Sequence, residues 1–150
     1  MEYKHTQIGH LMIFTLIAVA VLFGIIIYQA DLNKDNSEFF IVIAIMIITL
    51  LIVGSFTTLN VRIDDEYLRI KFGYGIYQRK FLLKNIKSVE SVKNHWYYGW
   101  GIRIWFWPFM QIFNVSGFDA VEIKMKDGKI YRIGTDDQKN LEYAILEIVR

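Results

Sequence analysis

Few residues in this sequence carry side chains suited to covalent or acid–base chemistry, and their spacing assembles no reactive group. There is no cysteine among the 150 residues, which removes thiol nucleophiles, thiolate metal sites and disulfides together. The three histidines, His5, His10 and His95, stand at no ligand spacing. Ser116 lies in Asn114-Val115-Ser116-Gly117, without the Gly-x-Ser-x-Gly elbow that exposes a nucleophilic serine. Gly99-x-Gly101 lacks a strand-to-helix context, and no Gly-x-x-x-x-Gly-Lys-Ser/Thr phosphate loop occurs. Asp136-Asp137 would suit a metal or a general base, but the pair precedes an amphipathic stretch, where negative charge favours the start of a helix. The chain is therefore expected to be no enzyme, with no catalytic residue, metal or cofactor. Its basic residues alternate along strands as solvated faces, which excludes a nucleic-acid surface. Tyr97, Arg103 and Asp119 keep a small-molecule or lipid-sensing pocket open as an alternative.

What remains is contact chemistry. Residues 96–113 hold nine aromatic side chains, all four tryptophans and the only proline. Trp105-Phe106-Trp107-Pro108-Phe109-Met110 is continuously apolar, and a single strand cannot turn all six inward. Tyr98 and Ile102 are expected to fill core, as aromatics and aliphatics do. Trp100, Trp105, Phe106, Trp107 and Phe109 are expected to meet something outside the domain. That contact is either the lipid headgroup region, where Trp and Tyr concentrate, or a protein: another membrane protein or a second copy. Lys93 and Arg103 would suit anionic headgroups, at about 1 kcal/mol per basic residue near the surface.

These residues must be held by two kinds of element. Most of the hydrophobic excess lies before residue 57. Leu11 to Tyr28 is 18 residues without a charge, 21 when counted from Ile8, and Phe39 to Phe56 is a second uncharged run of 18. A helix of about 20 residues matches the ~30 Å hydrocarbon core. Two spans are expected, over about 8–28 and 39–56, within a two-helix anchor of residues 1–57. The first run is too long for a leader peptide and precedes no small-x-small cleavage site. The link between the spans carries Asp31, Asp35 and Glu38 against Lys34, whereas Lys4 precedes the first span and Arg62, Arg69 and Lys71 follow the second. The Lys/Arg bias predicts a multi-pass protein of the cell membrane with both termini cytoplasmic. Apart from His10 at the boundary of the first, neither span contains an ionisable group suited to an ion path, so none is expected.

From residue 58 the apolar period drops to two. Leu59, Val61 and Ile63 alternate with polar residues, as do Leu68, Ile70 and Phe72, and a third strand follows near 76–81. Val89 to Lys93 and Ala120 to Lys126 alternate too, and Asp127-Gly128 marks a tight hairpin into 129–134. Thr135-x-x-Gln138 reads as a capping box. Leu141, Ala144, Ile145, Ile148 and Val149 then form one helical stripe, with Arg150 at its end. The expected fold is a membrane α-helical hairpin plus a β-rich domain at 58–150. That domain is a curved antiparallel sheet or barrel of about seven strands, closed by one C-terminal amphipathic helix.

Three strings carry a family resemblance: Trp96-Tyr97-Tyr98-Gly99-Trp100-Gly101-Ile102-Arg103, Asn114-Val115-Ser116-Gly117-Phe118-Asp119-Ala120-Val121-Glu122-Ile123, and Gly134-Thr135-Asp136-Asp137. With the order of elements, they make most of residues 58–150 similar to the bacterial pleckstrin-homology (PH) domain-containing membrane proteins. The resemblance implies a PH-like fold and brings no settled activity. The resulting expectation is a membrane-anchored binding module at the cytoplasmic surface. An accessory subunit of a membrane complex and a lipid or small-molecule sensor are the alternatives.

Overall fold

The computed structural model describes residues 3–29 and 37–149. Strand β1 (Tyr3–Ile8) leads through Gly9 into helix α1 (His10–Gln29), and α2 (Ser37–Ser55) returns through Phe56 and Thr57 into β2 (Thr58–Ile63). Because β1 pairs antiparallel with β2, from Ile8 opposite Thr58 to Tyr3 opposite Ile63, the two helices are an insertion in a β-hairpin. Both are long and apolar enough to cross a membrane, and they pack on each other. Two threonine hydroxyls inside the apolar runs are satisfied within the helix, Thr15 donating to the Leu11 carbonyl at 3.0 Å and Thr49 to the Ile45 carbonyl at 2.8 Å. That local bonding suits a medium without water. The first helix begins two residues later than expected because Ile8 still belongs to the sheet. Asp31, Lys34 and Asp35 of the link, and Arg150, lie outside the described residues.

The first sheet has the order β1-β2-β3-β4, with β3 (Tyr67–Phe72) and β4 (Tyr77–Leu82), all antiparallel. The second has the order β5-β8-β9-β7-β6, from β5 (Ile86–Lys93), β6 (Gly101–Phe106), β7 (Phe109–Asn114), β8 (Asp119–Met125) and β9 (Ile130–Gly134). Its β7–β9 pair is parallel. Nine strands thus stand among the described residues where about seven were expected. The additions are β1 and the division of the aromatic stretch into two strands. Leu59, Ile70 and Phe72 of the first sheet meet Phe113, Ile123 and Ile133 of the second, all fully buried. Helix α3 (Gln138–Val149) closes this core with Leu141, Ala144 and Ile145.

The capping box does not close. Asp137 starts the helix: its carbonyl accepts from Leu141 N–H at 3.1 Å and its carboxylate from the Asn140 amide at 2.7 Å. The Gln138 amide instead donates to the Val92 and Ala120 carbonyls at 2.6 and 2.7 Å, tying α3 to β5 and β8. Asp137 also accepts from the Tyr3 hydroxyl at 3.1 Å. Burial, then the Asp137 charge, hold that phenol well above its ordinary range.

The joint between helices and sheet is short and rigid. Gly9 N–H donates to Thr57 O at 2.7 Å, and Gly73 N–H to Thr58 O at 2.9 Å. Gly73 has φ +45°, and a Cβ there would lie 2.5 Å from the Ser55 carbonyl oxygen. Only glycine allows the β3–β4 turn to approach the end of α2 this closely. Beside it the Tyr74 hydroxyl donates to the Leu51 carbonyl of α2.

Candidate interaction surface

The aromatic stretch folds as the β6–β7 hairpin, with Gly101 opposite Asn114 and Phe106 opposite Phe109. Strand alternation gives the hairpin two apolar faces. On one, Ile102 packs on the main core. On the other, Met110 and Ile112 are buried beneath Tyr98, with Trp105 and Ile130 against them, as a small second core. Tyr98 comes from the turn at 96–98, which folds over the outer face of the second sheet. Its ring centroid lies 4.9 Å from that of Trp105. Burial raises the Tyr98 phenol above its usual range. Beside this second core Glu122 and Arg132, on the interior strands β8 and β9, form a nearly buried cross-strand pair at 2.7 Å, and the Arg132 guanidinium lies 5.6 Å above the Tyr98 ring.

Beyond both cores the hairpin projects uncovered. Phe106 is 76 % exposed, Trp107 90 % and Phe109 57 %. Ile104 sits on the same face as Phe106 and is half exposed. A polar group marks where the main core ends: Arg79 of β4 donates to Gln111 Oε1 and, at 2.9 Å, to the Tyr131 hydroxyl. Past that group, none of the described elements covers the apolar side chains.

The five expected contact residues therefore divide. Phe106, Trp107 and Phe109 come together at the tip. Trp105 is half-buried and turned into the second core, its indole N–H donating to the Trp107 carbonyl at 2.9 Å. Trp100 lies at the opposite end of β6, half-buried, with its ring 6.4 Å from Phe118. Lys93 and Arg103 are not brought together, because β5 and β6 form opposite edges of the sheet. Lys93 faces Asp119 at 3.9 Å, and Arg103 Nε donates to the Trp100 carbonyl at 3.0 Å. Tyr97 stacks on His95 with ring centroids 4.9 Å apart, and its ring lies 5.5 Å from that of Trp105. Asp119 lines a shallow groove with Gln7, Ser116 and Thr135. Ile104 was missed as a surface residue, although its two-residue spacing from Phe106 places it on the same face.

The tip also has a defined position relative to the helices. β7 runs from Phe109 toward Asn114, and the next carbonyl, Val115, lies 2.9 Å from where a Cβ on Gly9 would stand. At about 3.3 Å per residue, Phe109 is roughly 17 Å along the strand from the end that meets α1.

No family model matches the chain, and no curated protein matches it. Fold and surface define its class: a two-helix apolar hairpin carrying a two-sheet β domain that presents an uncovered aromatic tip.

Proposed function

We propose that this chain is a membrane-anchored, PH-like binding module, not an enzyme, which holds a protein partner at the cytoplasmic membrane surface through the β6–β7 tip. The observation that carries the proposal is the exposure of Phe106, Trp107 and Phe109, with half-exposed Ile104 beside them, at the end of a hairpin whose remaining apolar residues are packed or half-buried. Contiguous exposed aromatics are uncommon on self-sufficient surfaces, and Trp dominates binding hot spots. The PH-like reading is supported by a four-stranded antiparallel sheet packed on a second sheet, with a C-terminal amphipathic helix closing the core.

A protein contact is favoured over the bilayer by the distance of the tip from the strand ends that enter the helices. The same-side placement of the N-terminal strand and the β domain is supported by pairing. β1 and β2 are neighbours in one sheet, so a bilayer crossed by both helices leaves both strands on one side. Lys4, Arg62, Arg69 and Lys71 flank the helices on that side, and Lys/Arg bias assigns it to the cytoplasm.

The test is site-specific photo-crosslinking in native membranes, with the full-length chain carrying the crosslinker at position 107 or, as a control, at exposed Lys139. A discrete protein adduct at 107 alone, lost when Phe106 and Phe109 are both changed to Ser, is the expected result. Adducts to lipid alone at 107 would reassign the tip to the bilayer.

A further inference from the structure

Among the described residues, four strands stand at sheet edges: β1 and β4 in the first sheet, β5 and β6 in the second. An edge strand presents unpaired backbone N–H and C=O groups, and folded proteins blunt such edges with charge, bulges or covering elements. Three of these four are blunted. β1 carries Lys4 and is tied through Tyr3 and His5 to Asp137 and Asp136, just before α3. β4 carries adjacent Arg79 and Lys80, and Arg79 reaches across to the second sheet. β5 carries Lys87, Glu90 and Lys93 and shifts register between Ile86 and Ser88. It is also packed by α3, whose Gln138 amide donates to the Val92 carbonyl at 2.6 Å. β6 has none of these devices. It pairs with β7 in continuous register from Gly101 to Phe106, and it contains no lysine, proline or bulge. Among the described residues, its backbone–backbone bonds are those to β7. In an antiparallel pair every second residue turns both its N–H and its C=O away from the partner, so the outer edge of β6 is unpaired. The side chains along it are apolar and uncovered. Ile104 is 50 % and Phe106 76 % exposed on one face, with half-buried Trp105 on the other. The one charge on this strand is exposed Arg103. Its Nε donates to the Trp100 carbonyl at 3.0 Å, and no carboxylate pairs with it among the described residues.

We infer that the outer edge of β6 takes an extended segment of the partner protein as an added strand, with apolar side chains at alternate positions and one carboxylate opposite Arg103. This partner chemistry rests on the tip being a protein contact, with which the edge is continuous: Phe106 ends β6 and opens the turn that holds Trp107. Main-chain bonds to an open edge supply affinity, and the side chains that alternate along it supply specificity. Opposite residues of an antiparallel pair share a face, so the partner's apolar positions meet Ile104 and Phe106 while its carboxylate lies on the side of Arg103. A second copy's β6 carries the same cation and no carboxylate. Charge complementarity therefore favours a different sequence as the occupant.

Full-length protein in mild detergent, titrated with the fluorescein-labelled peptide Thr-Val-Thr-Val-Glu-Val-Thr-Val-Thr, tests this by anisotropy and by hydrogen exchange. The peptide is expected to bind and to slow amide exchange in β6 while leaving β5 unchanged. The same peptide with Lys in place of Glu should bind about fivefold more weakly, as exchanging an exposed attraction for a repulsion requires. A peptide with Pro in place of its two central Val residues should not bind, because it cannot complete the ladder. Arg103→Glu should reverse the preference between the Glu and Lys peptides and keep the melting midpoint, since the side chain is exposed. Failure of every peptide to bind, or a preference that Arg103→Glu leaves unchanged, would overturn the inference. Slowed exchange at β5 in place of β6 would overturn it too. Adducts to a second copy alone, from a photo-crosslinker at position 104 in native membranes, would refute a partner segment as the occupant. A protein adduct at 107 without strand addition at β6 sinks the edge and leaves the tip's role standing, whereas a lipid adduct alone at 107 sinks the tip's role itself.

Discussion

Trp105→Ala and Trp107→Ala, two positions apart in one hairpin, should separate folding from binding. Truncating a fully buried Trp costs about 3–5 kcal/mol. Trp105 is half-buried in the second core, with its ring 4.9 Å from Tyr98 and 5.5 Å from Tyr97. Half of the burial cost plus the lost ring contacts gives about 2–3 kcal/mol. Trp107 is 90 % exposed, and its one hydrogen bond within the domain uses the backbone carbonyl, which alanine keeps. Its cost should stay below about 0.5 kcal/mol. At about 4–8 °C per kcal/mol for a domain near this size, Trp105→Ala should lower the melting midpoint by at least about 8 °C. Trp107→Ala should lower it by no more than about 4 °C. The assay is thermal unfolding of the full-length chain in detergent, followed by far-ultraviolet circular dichroism. Photo-crosslinking from position 106 supplies the binding readout. Trp107→Ala should lose the protein adduct while keeping its midpoint. Equal midpoints for the two variants, or a larger drop for Trp107→Ala, would refute the assignment of one ring to a core and the other to a surface.

Three further outcomes follow from the geometry. Gly73→Ala forces a Cβ into the left-handed region and against the Ser55 carbonyl, so it should cost about 2–4 kcal/mol, whereas Gly128→Ala, at φ +87° in open space, should cost about 1 kcal/mol; paired thermal melts decide. Arg132→Met strands Glu122, whose side chain is 7 % exposed, and Lys124 Nζ at 3.3 Å compensates only in part; a loss of about 2–3 kcal/mol is expected, most of it recovered in Glu122→Leu/Arg132→Met. Asp64 accepts from the Tyr67 and Glu66 amides and from Arg69, in that order of effect, and its pKa falls from the ordinary 3.8 to about 2. A depressed carboxylate adds stability above the unfolded-state value and loses it as pH falls through the folded one. The wild-type melting midpoint should therefore drop between about pH 4 and pH 2, and Asp64→Asn should flatten that limb.

The two helices were legible as uncharged apolar runs, and β2 to β4 and the β8–β9 hairpin by their two-residue alternation, whereas β5 buries Ile86 and half-buries Val89 and Val92 without alternating and carries a register shift between Ile86 and Ser88. Each apolar run in β2 and β3 alternates into the main core, and Gly128 takes the positive φ that the Asp127-Gly128 turn implies. β1 was hidden for a physical reason. Its inward residues include His5 and Gln7, its last outward residue is Ile8, and its partner lies beyond two helices. The β6–β7 hairpin lost its two-residue signal because both faces are apolar, one packed on the main core and the other under Tyr98. Sequence alone could not choose which of Trp105 and Trp107 is buried, since that depends on the turn at 96–98 crossing the sheet. The cross-strand alignment of four cations on the first sheet was equally illegible. Lys4, Arg62, Arg69 and Lys80 are scattered along the chain, and only register brings them together.

The attachment of anchor to domain bears on what kind of partner the tip can serve. Two covalent junctions of one and two residues, the bond from Gly73 to Thr58, the close packing of Gly73 on Ser55 and the Tyr74 hydroxyl on α2 all fix the sheet to the ends of the helices. A flexible tether would let the tip sample many heights above the bilayer; this joint fixes one. Fixing height and orientation removes part of the rotational and translational entropy that association costs. It also raises the effective concentration for a partner confined to the same membrane. A soluble partner gains little from a fixed height, whereas one embedded alongside gains on every encounter. The rigid joint thus favours a second integral membrane protein, or a second copy of this chain, as the occupant of the tip. Inserting a flexible Gly-Ser segment between Ser55 and Thr58 should weaken crosslinking from position 107 even though every tip residue is retained.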